Sequence, residues 1–109
     1  MANAYKVLGQ NDLAATTNTD VYTVPSSTET IISTIILANR TSSALSYRIA
    51  IRPDGATLAD QHYIAYDVPI PANDSTTLTL GITLDAADVI TCYASAVDMT
   101  VSVFGTEIS

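Results

Sequence analysis

The chain has 109 residues, enough for one domain (1–109) around one core and too few for a second. Charged side chains make up 14% and apolar ones 48%, the reverse of a disordered composition. Eleven acids against four bases leave a net charge of −7, which repels nucleic acid and anionic membranes at long range, and a single cysteine excludes an internal disulfide.

Lysine occurs only at 6 and glutamate only at 29 and 107, so strong helix formers are scarce, while Thr, Ser, Val and Ile are frequent. The chain therefore reads as all-β. In chain order, residues 4–8 form a first candidate strand, and the polar stretch 9–19 reads as a surface loop. Residues 20–24 form a second strand, ended by Val24-Pro25-Ser26-Ser27. The run 30–38 is apolar on both faces, so it reads as the central strand, covered on each side by sheet, loop or a neighbouring subunit. Residues 45–52 alternate, with Leu45, Tyr47, Ile49 and Ile51 on one face and Ser46, Arg48, Ala50 and Arg52 on the other. Pro53-Asp54-Gly55 is a strong turn, and 56–60 can form one helical turn after it. A strand over 61–67 puts His62, Ile64 and Tyr66 on one face. Pro69 to Asp74 reads as a turn, and residues 76–82 turn Leu78, Leu80 and Ile82 inward. A helical turn can form at 84–88, followed by strands at 88–96 and at 99–103, where Met99, Val101 and Val103 point inward. About eight strands at regular spacing predict a single antiparallel β-sandwich, jelly-roll-like.

Little in this sequence carries chemistry. His62 and Cys92 are the only residues of their kinds and lie on different strands, which supports neither a nucleophilic triad nor a zinc site. Cys92, inside Val89-Ile90-Thr91-Cys92-Tyr93-Ala94, reads as a small buried hydrophobe. Asp54, Asp60, Asp74, Asp85 and Asp88 are scattered as turn formers and make no calcium ladder, and the four glycines make no phosphate loop. The reading is a protein that is not an enzyme and uses no metal or cofactor. It has no apolar leader and no stretch near the ~18 apolar residues of a membrane span, which predicts folding in a cytoplasm.

Interface chemistry is better represented. All four bases lie within residues 1–53 with three acids, while 54–109 hold eight acids and no base. Arg40, Arg48 and Arg52 are candidate interface residues that meet carboxylates on another strand or another subunit. Tyr63 and Tyr66, close together among six tyrosines, are interface candidates as well, and a tyrosine ring can also stack on a sugar.

The segments Tyr5-Lys6-Val7-Leu8-Gly9-Gln10, Val21-Tyr22-Thr23-Val24-Pro25, Ile35-Ile36-Leu37-Ala38-Asn39-Arg40 and Tyr47-Arg48-Ile49-Ala50-Ile51-Arg52-Pro53 form a familiar series. With Pro69-Ile70-Pro71-Ala72-Asn73-Asp74, Leu80-Gly81-Ile82-Thr83-Leu84 and Phe104-Gly105-Thr106-Glu107-Ile108, the series resembles small virion structural proteins of tailed bacteriophages, especially those infecting cyanobacteria and marine bacteria. The resemblance spans nearly the whole chain and brings no catalytic motif. It implies a β-sandwich component of the virion, synthesised in the host bacterial cytoplasm, that acts as a capsid decoration (cement) protein or a small tail or baseplate component. The implied partners are further copies of itself, with a trimer favoured, and virion proteins such as the major capsid or tail proteins. The alternative is a carbohydrate-binding module on a phage tail fibre that recognises the host surface.

Overall fold

The computed structural model describes residues 2–109 and contains eight strands with no α-helix among them. They are β1 (Asn3–Leu13), β2 (Thr19–Thr23), β3 (Glu29–Asn39), β4 (Leu45–Arg52), β5 (Tyr63–Ile70), β6 (Ser75–Leu84), β7 (Val89–Ala94) and β8 (Met99–Ile108). β1 pairs with β8, β2 with β7, β3 with β6 and β4 with β5, all antiparallel, so the first half of the chain lies along the second as one long ribbon. The ribbon then rolls, and β3 also meets β8 while β4 meets β7. The outcome is two four-stranded sheets, β1-β8-β3-β6 and β2-β7-β4-β5, packed as an eight-stranded β-sandwich with the strand order of a jelly roll.

Side-chain alternation decides what lies between the sheets. Tyr47 and Ile49 of β4, Ile90 and Cys92 of β7, and Met99, Val101 and Val103 of β8 are all buried, as their period-two spacing requires. β3 is central in its sheet, between β8 and β6. A register shift between Ile32 and Thr34 resets its phase, so that Thr30 and Ile32 point inward before the shift and Ile35, Leu37 and Asn39 after it. Only one side of β3 is covered: Ile31 on the other side is 43% exposed, and no second layer lies over it among the described residues.

Several local expectations change. β1 does not stop at residue 8 but continues to Leu13 after a bulge between Val7 and Gly9, because Gly9 to Leu13 pair with Val103 to Met99 and Leu13 anchors the end in the core. His62 lies outside the strand, in a short 3-10 turn (Asp60–His62), where its Nδ1 accepts from the Ala59 N–H at 3.0 Å. No helical turn forms at 56–60 as a whole. Instead, 3-10 turns at Pro53–Gly55 and Asp60–His62 flank it, and Asp54 (φ 54°) and Gly55 (φ 68°) take the left-handed backbone that reverses the chain. The 84–88 segment is a non-helical turn held by the Asp88 carboxylate, which accepts from the Asp85 and Asp54 N–H groups, both at 2.8 Å. Pro69 belongs to β5, an edge strand, where a missing N–H is tolerated.

Candidate interaction site

The outer face of the β2-β7-β4-β5 sheet is built on two irregularities of β5. Tyr47 faces Val68 and Ile49 faces Ala65, so β5 spends one residue more than β4 across this step. The extra length falls at Tyr66 and Asp67, and Asp67 adopts φ 52°. Both side chains are thereby brought to Arg48, the β4 residue opposite. A second shift, between Ile49 and Ala50, loops out Ile64, which is 50% exposed.

Arg48 is held from three sides. Its Nε donates to Asp67 Oδ1 at 2.6 Å and its Nη2 to Oδ2 at 3.3 Å, a two-pronged contact that suits a planar guanidinium. The same guanidinium carbon lies 4.1 Å from the Tyr66 ring centroid and 4.3 Å from that of Tyr93, which β7 places beside Arg48 in register. Tyr63 packs edge-on to Tyr66, with centroids 4.9 Å apart and planes at 88°. The hydrogen bond to Asp67 pushes the pKa of Arg48 above its already high ordinary value, so the site carries a permanent cation. Tyr66 remains 56% exposed.

Arg52 lies on the same face but serves the scaffold. It donates through Nε to Thr91 Oγ1 at 3.0 Å, through Nη2 to Asp20 Oδ1 at 2.8 Å and through Nη1 to the Ala56 carbonyl at 3.0 Å. Thr91 also donates to Asp20, at 2.9 Å, so β4, β7 and β2 are tied across their strands and the following turn is fastened down. Arg40 is elsewhere, beyond the end of β3, bonded to Asp12 at 3.0 Å and Asp98 at 3.4 Å.

Of the five interface candidates, the fold therefore gathers Arg48, Tyr63 and Tyr66, places Arg52 nearby and leaves Arg40 apart. The carboxylates that the arginines meet come from other strands of the same chain, or for Asp98 from the β7–β8 connection, and Lys6 is likewise paired with Glu107 at 2.7 Å. Acidic groups on a partner are therefore not needed to neutralise these cations. Sequence reasoning missed Tyr93 and Asp67 as members of the cluster. The alternation of β7 contains a signal for Tyr93, since inward Ile90, Cys92 and Ala94 force Tyr93 outward. No protein-family model matches the chain, and no curated protein matches it.

Proposed function

We propose that this protein is a structural component of a bacteriophage virion, a capsid decoration (cement) protein or a small tail or baseplate piece. In this reading it stabilises the particle through protein–protein contacts, including contacts with copies of itself, and performs no catalysis. The observation that carries the reading is the Arg48 cluster: three tyrosines and one arginine, fixed by a carboxylate and a bulge, standing open on a sheet face. Tyr and Arg are the residues that dominate protein interfaces, and a prearranged set loses little rotamer freedom on docking. The jelly-roll strand order is consistent with this role, since viral capsid domains use it, although lectins and cupins do so too.

The exposed Tyr66 ring supports the second reading, a carbohydrate-binding module on a tail fibre. Arg48 already covers one face of that ring and one face of Tyr93, and Tyr63 packs against Tyr66 as well, which reduces the aromatic surface left for a sugar to stack on. Protein docking uses the whole cluster, so it is the favoured function.

Co-sedimentation with purified phage particles stripped of this protein tests the proposal. The wild type should pellet with the particles, and Tyr66→Ala combined with Arg48→Glu should abolish pelleting without changing the β-rich circular dichroism spectrum. Retention of the wild type on a glycan array, with no binding to particles, would establish the carbohydrate reading instead.

A further inference from the structure

On the opposite side of the sandwich, the outer face of the β1-β8-β3-β6 sheet has a composition of its own. Tyr5 and Val7 of β1 stand beside Thr106 and Phe104 of β8, which stand beside Ile31 and Thr34 of β3. β6 continues the surface with Thr79 next to Thr34 and Thr77 next to Ile36. Three of the six large exposed apolar side chains of the described residues meet here: Tyr5 at 80%, Val7 at 49% and Ile31 at 43%. The charged groups on this face sit at its opposite ends: Glu29 faces Ile108 of β8, while Asp12 faces Thr100 and is paired with Arg40.

Chemistry narrows what can cover such a surface. Among the described residues its one cation is Arg40 at the Asp12 end, already paired with Asp12 and Asp98, which is too little to hold nucleic acid or an anionic membrane, and it has one fully open aromatic ring, Tyr5, for a sugar. A second copy of the chain, by contrast, brings an equally open surface whose few charges also lie at its ends. Each copy carries a net charge of −7, so two copies meet with least repulsion where the touching surface has few charges and those at its ends, as here. Four strands of about ten residues give a footprint of about 600 Å² from standard strand spacing and rise. That is the area per partner at the lower end of specific interfaces.

We infer that the outer face of the β1-β8-β3-β6 sheet pairs with the same face of a second copy about a two-fold axis, forming a four-layered dimer. The contact is isologous, with Phe104 of each copy near its centre, Val7 and Ile31 on the strands to either side, and Thr side chains around them. The inference rests on this face alone and does not depend on which particle the protein belongs to. A flat open face pairs in twos, so the trimer implied by the phage resemblance requires another surface.

Sedimentation of the isolated full chain tests it. The wild type should run at twice its 11.5 kDa mass and dissociate on dilution, and added salt should tighten the dimer by screening the repulsion between two copies of net charge −7. Val7→Glu with Ile31→Glu should raise the dimer Kd roughly a hundredfold or more, because like charges then face one another, with an unchanged circular dichroism spectrum. Independently of that variant, Thr34→Cys or Ser102→Cys, near the middle of the face, should give cross-linked pairs with a short thiol-specific bridge, while Ser46→Cys on the other sheet should not. A wild-type monomer at millimolar concentration overturns the inference. So does an oligomer that resists the two glutamates but dissociates on Tyr66→Glu, or the absence of cross-links from both cysteine variants.

Discussion

The Tyr22 hydroxyl donates to the Glu107 carboxylate at 2.6 Å, joining β2 of one sheet to β8 of the other. Thr30 completes the set at 2.9 Å from the same hydroxyl, and Lys6 meets the second carboxylate oxygen at 2.7 Å. All four of these side chains are thus partnered. The hydrogen bond from Lys6, followed by that from Tyr22, holds the Glu107 carboxyl below its ordinary pKa of 4.5. A depressed folded pKa means that Glu107 adds stability above pH 4.5 and loses it as pH falls further. Burial, reinforced by the bond to Glu107, raises Tyr22 from 10.0 to about 12, so stability should also fall as pH rises from 10 toward 12. Melting temperature followed across pH should show both declines. Tyr22→Phe should lower stability by about 2 kcal/mol at neutral pH, the scale of a hydrogen bond to a charged group, and should flatten the alkaline decline.

Cys92 is fully buried, and burial pushes its thiol from 9.0 to about 12. The thiolate is therefore almost absent at neutral pH, and a thiol reagent should label the protein only at the rate of unfolding. Rapid labelling without denaturant is the contrary result. Cys92→Ser should cost about 1–3 kcal/mol, since its hydroxyl would enter the hydrophobic core cluster.

Asn39 is 2% exposed, and its amide is a junction for two loops. Its Nδ2 donates to the carbonyls of Ser43, Ile70 and Pro71, while its Oδ1 accepts from the Thr41 N–H and hydroxyl. Asn39→Ala leaves several of these groups unpartnered and should cost about 3 kcal/mol. Asn39→Asp should cost more, because a carboxylate would face three carbonyls. Urea midpoints with an unchanged slope would measure both.

Two glycines are needed for space. A Cβ on Gly9 would press on the Val21 carbonyl and one on Gly105 on the Ile31 carbonyl, and backbone atoms in a sheet cannot step aside. Alanine at either position should destabilise by about 1–3 kcal/mol. Gly81, with nothing within 4 Å of a would-be Cβ, should gain about 0.5 kcal/mol from the same change. Thermal unfolding of the three single variants checks the contrast.

What could be read in advance depended on how locally each feature is encoded. β4 was legible to its last residue, because Leu45, Tyr47, Ile49 and Ile51 alternate without interruption and the expected span, 45–52, is the observed one. β1 was legible only to residue 8: Gln10, Asn11 and Asp12 look like a loop, yet they pair with Ser102, Val101 and Thr100 in an edge strand whose outer side needs no apolar residue. β8 extends past Val103 because Phe104 to Ile108 pair on both sides, a long-range fact that the break in alternation at Gly105 hides. The site divides in the same way. Arg48, Tyr63 and Tyr66 stood out by residue type, whereas the role of Asp67 depends on a bulge and that of Tyr93 on a strand pairing across the fold.

The rolled ribbon also sets the order in which the chain can assemble. Ala50 faces Tyr63 across a short connection, whereas Asn3 faces Ile108 at the far ends of the chain. Loop-closure entropy therefore favours joining β4 to β5 first, and each pair then shortens the loop that the next must close. Nearly every contact is non-local, so folding belongs with the slow, millisecond-to-second β class. Lesions near Asp54 and Gly55, at the bend where closure starts, should slow folding, while lesions in β1, the last strand to arrive, should act mainly by speeding unfolding.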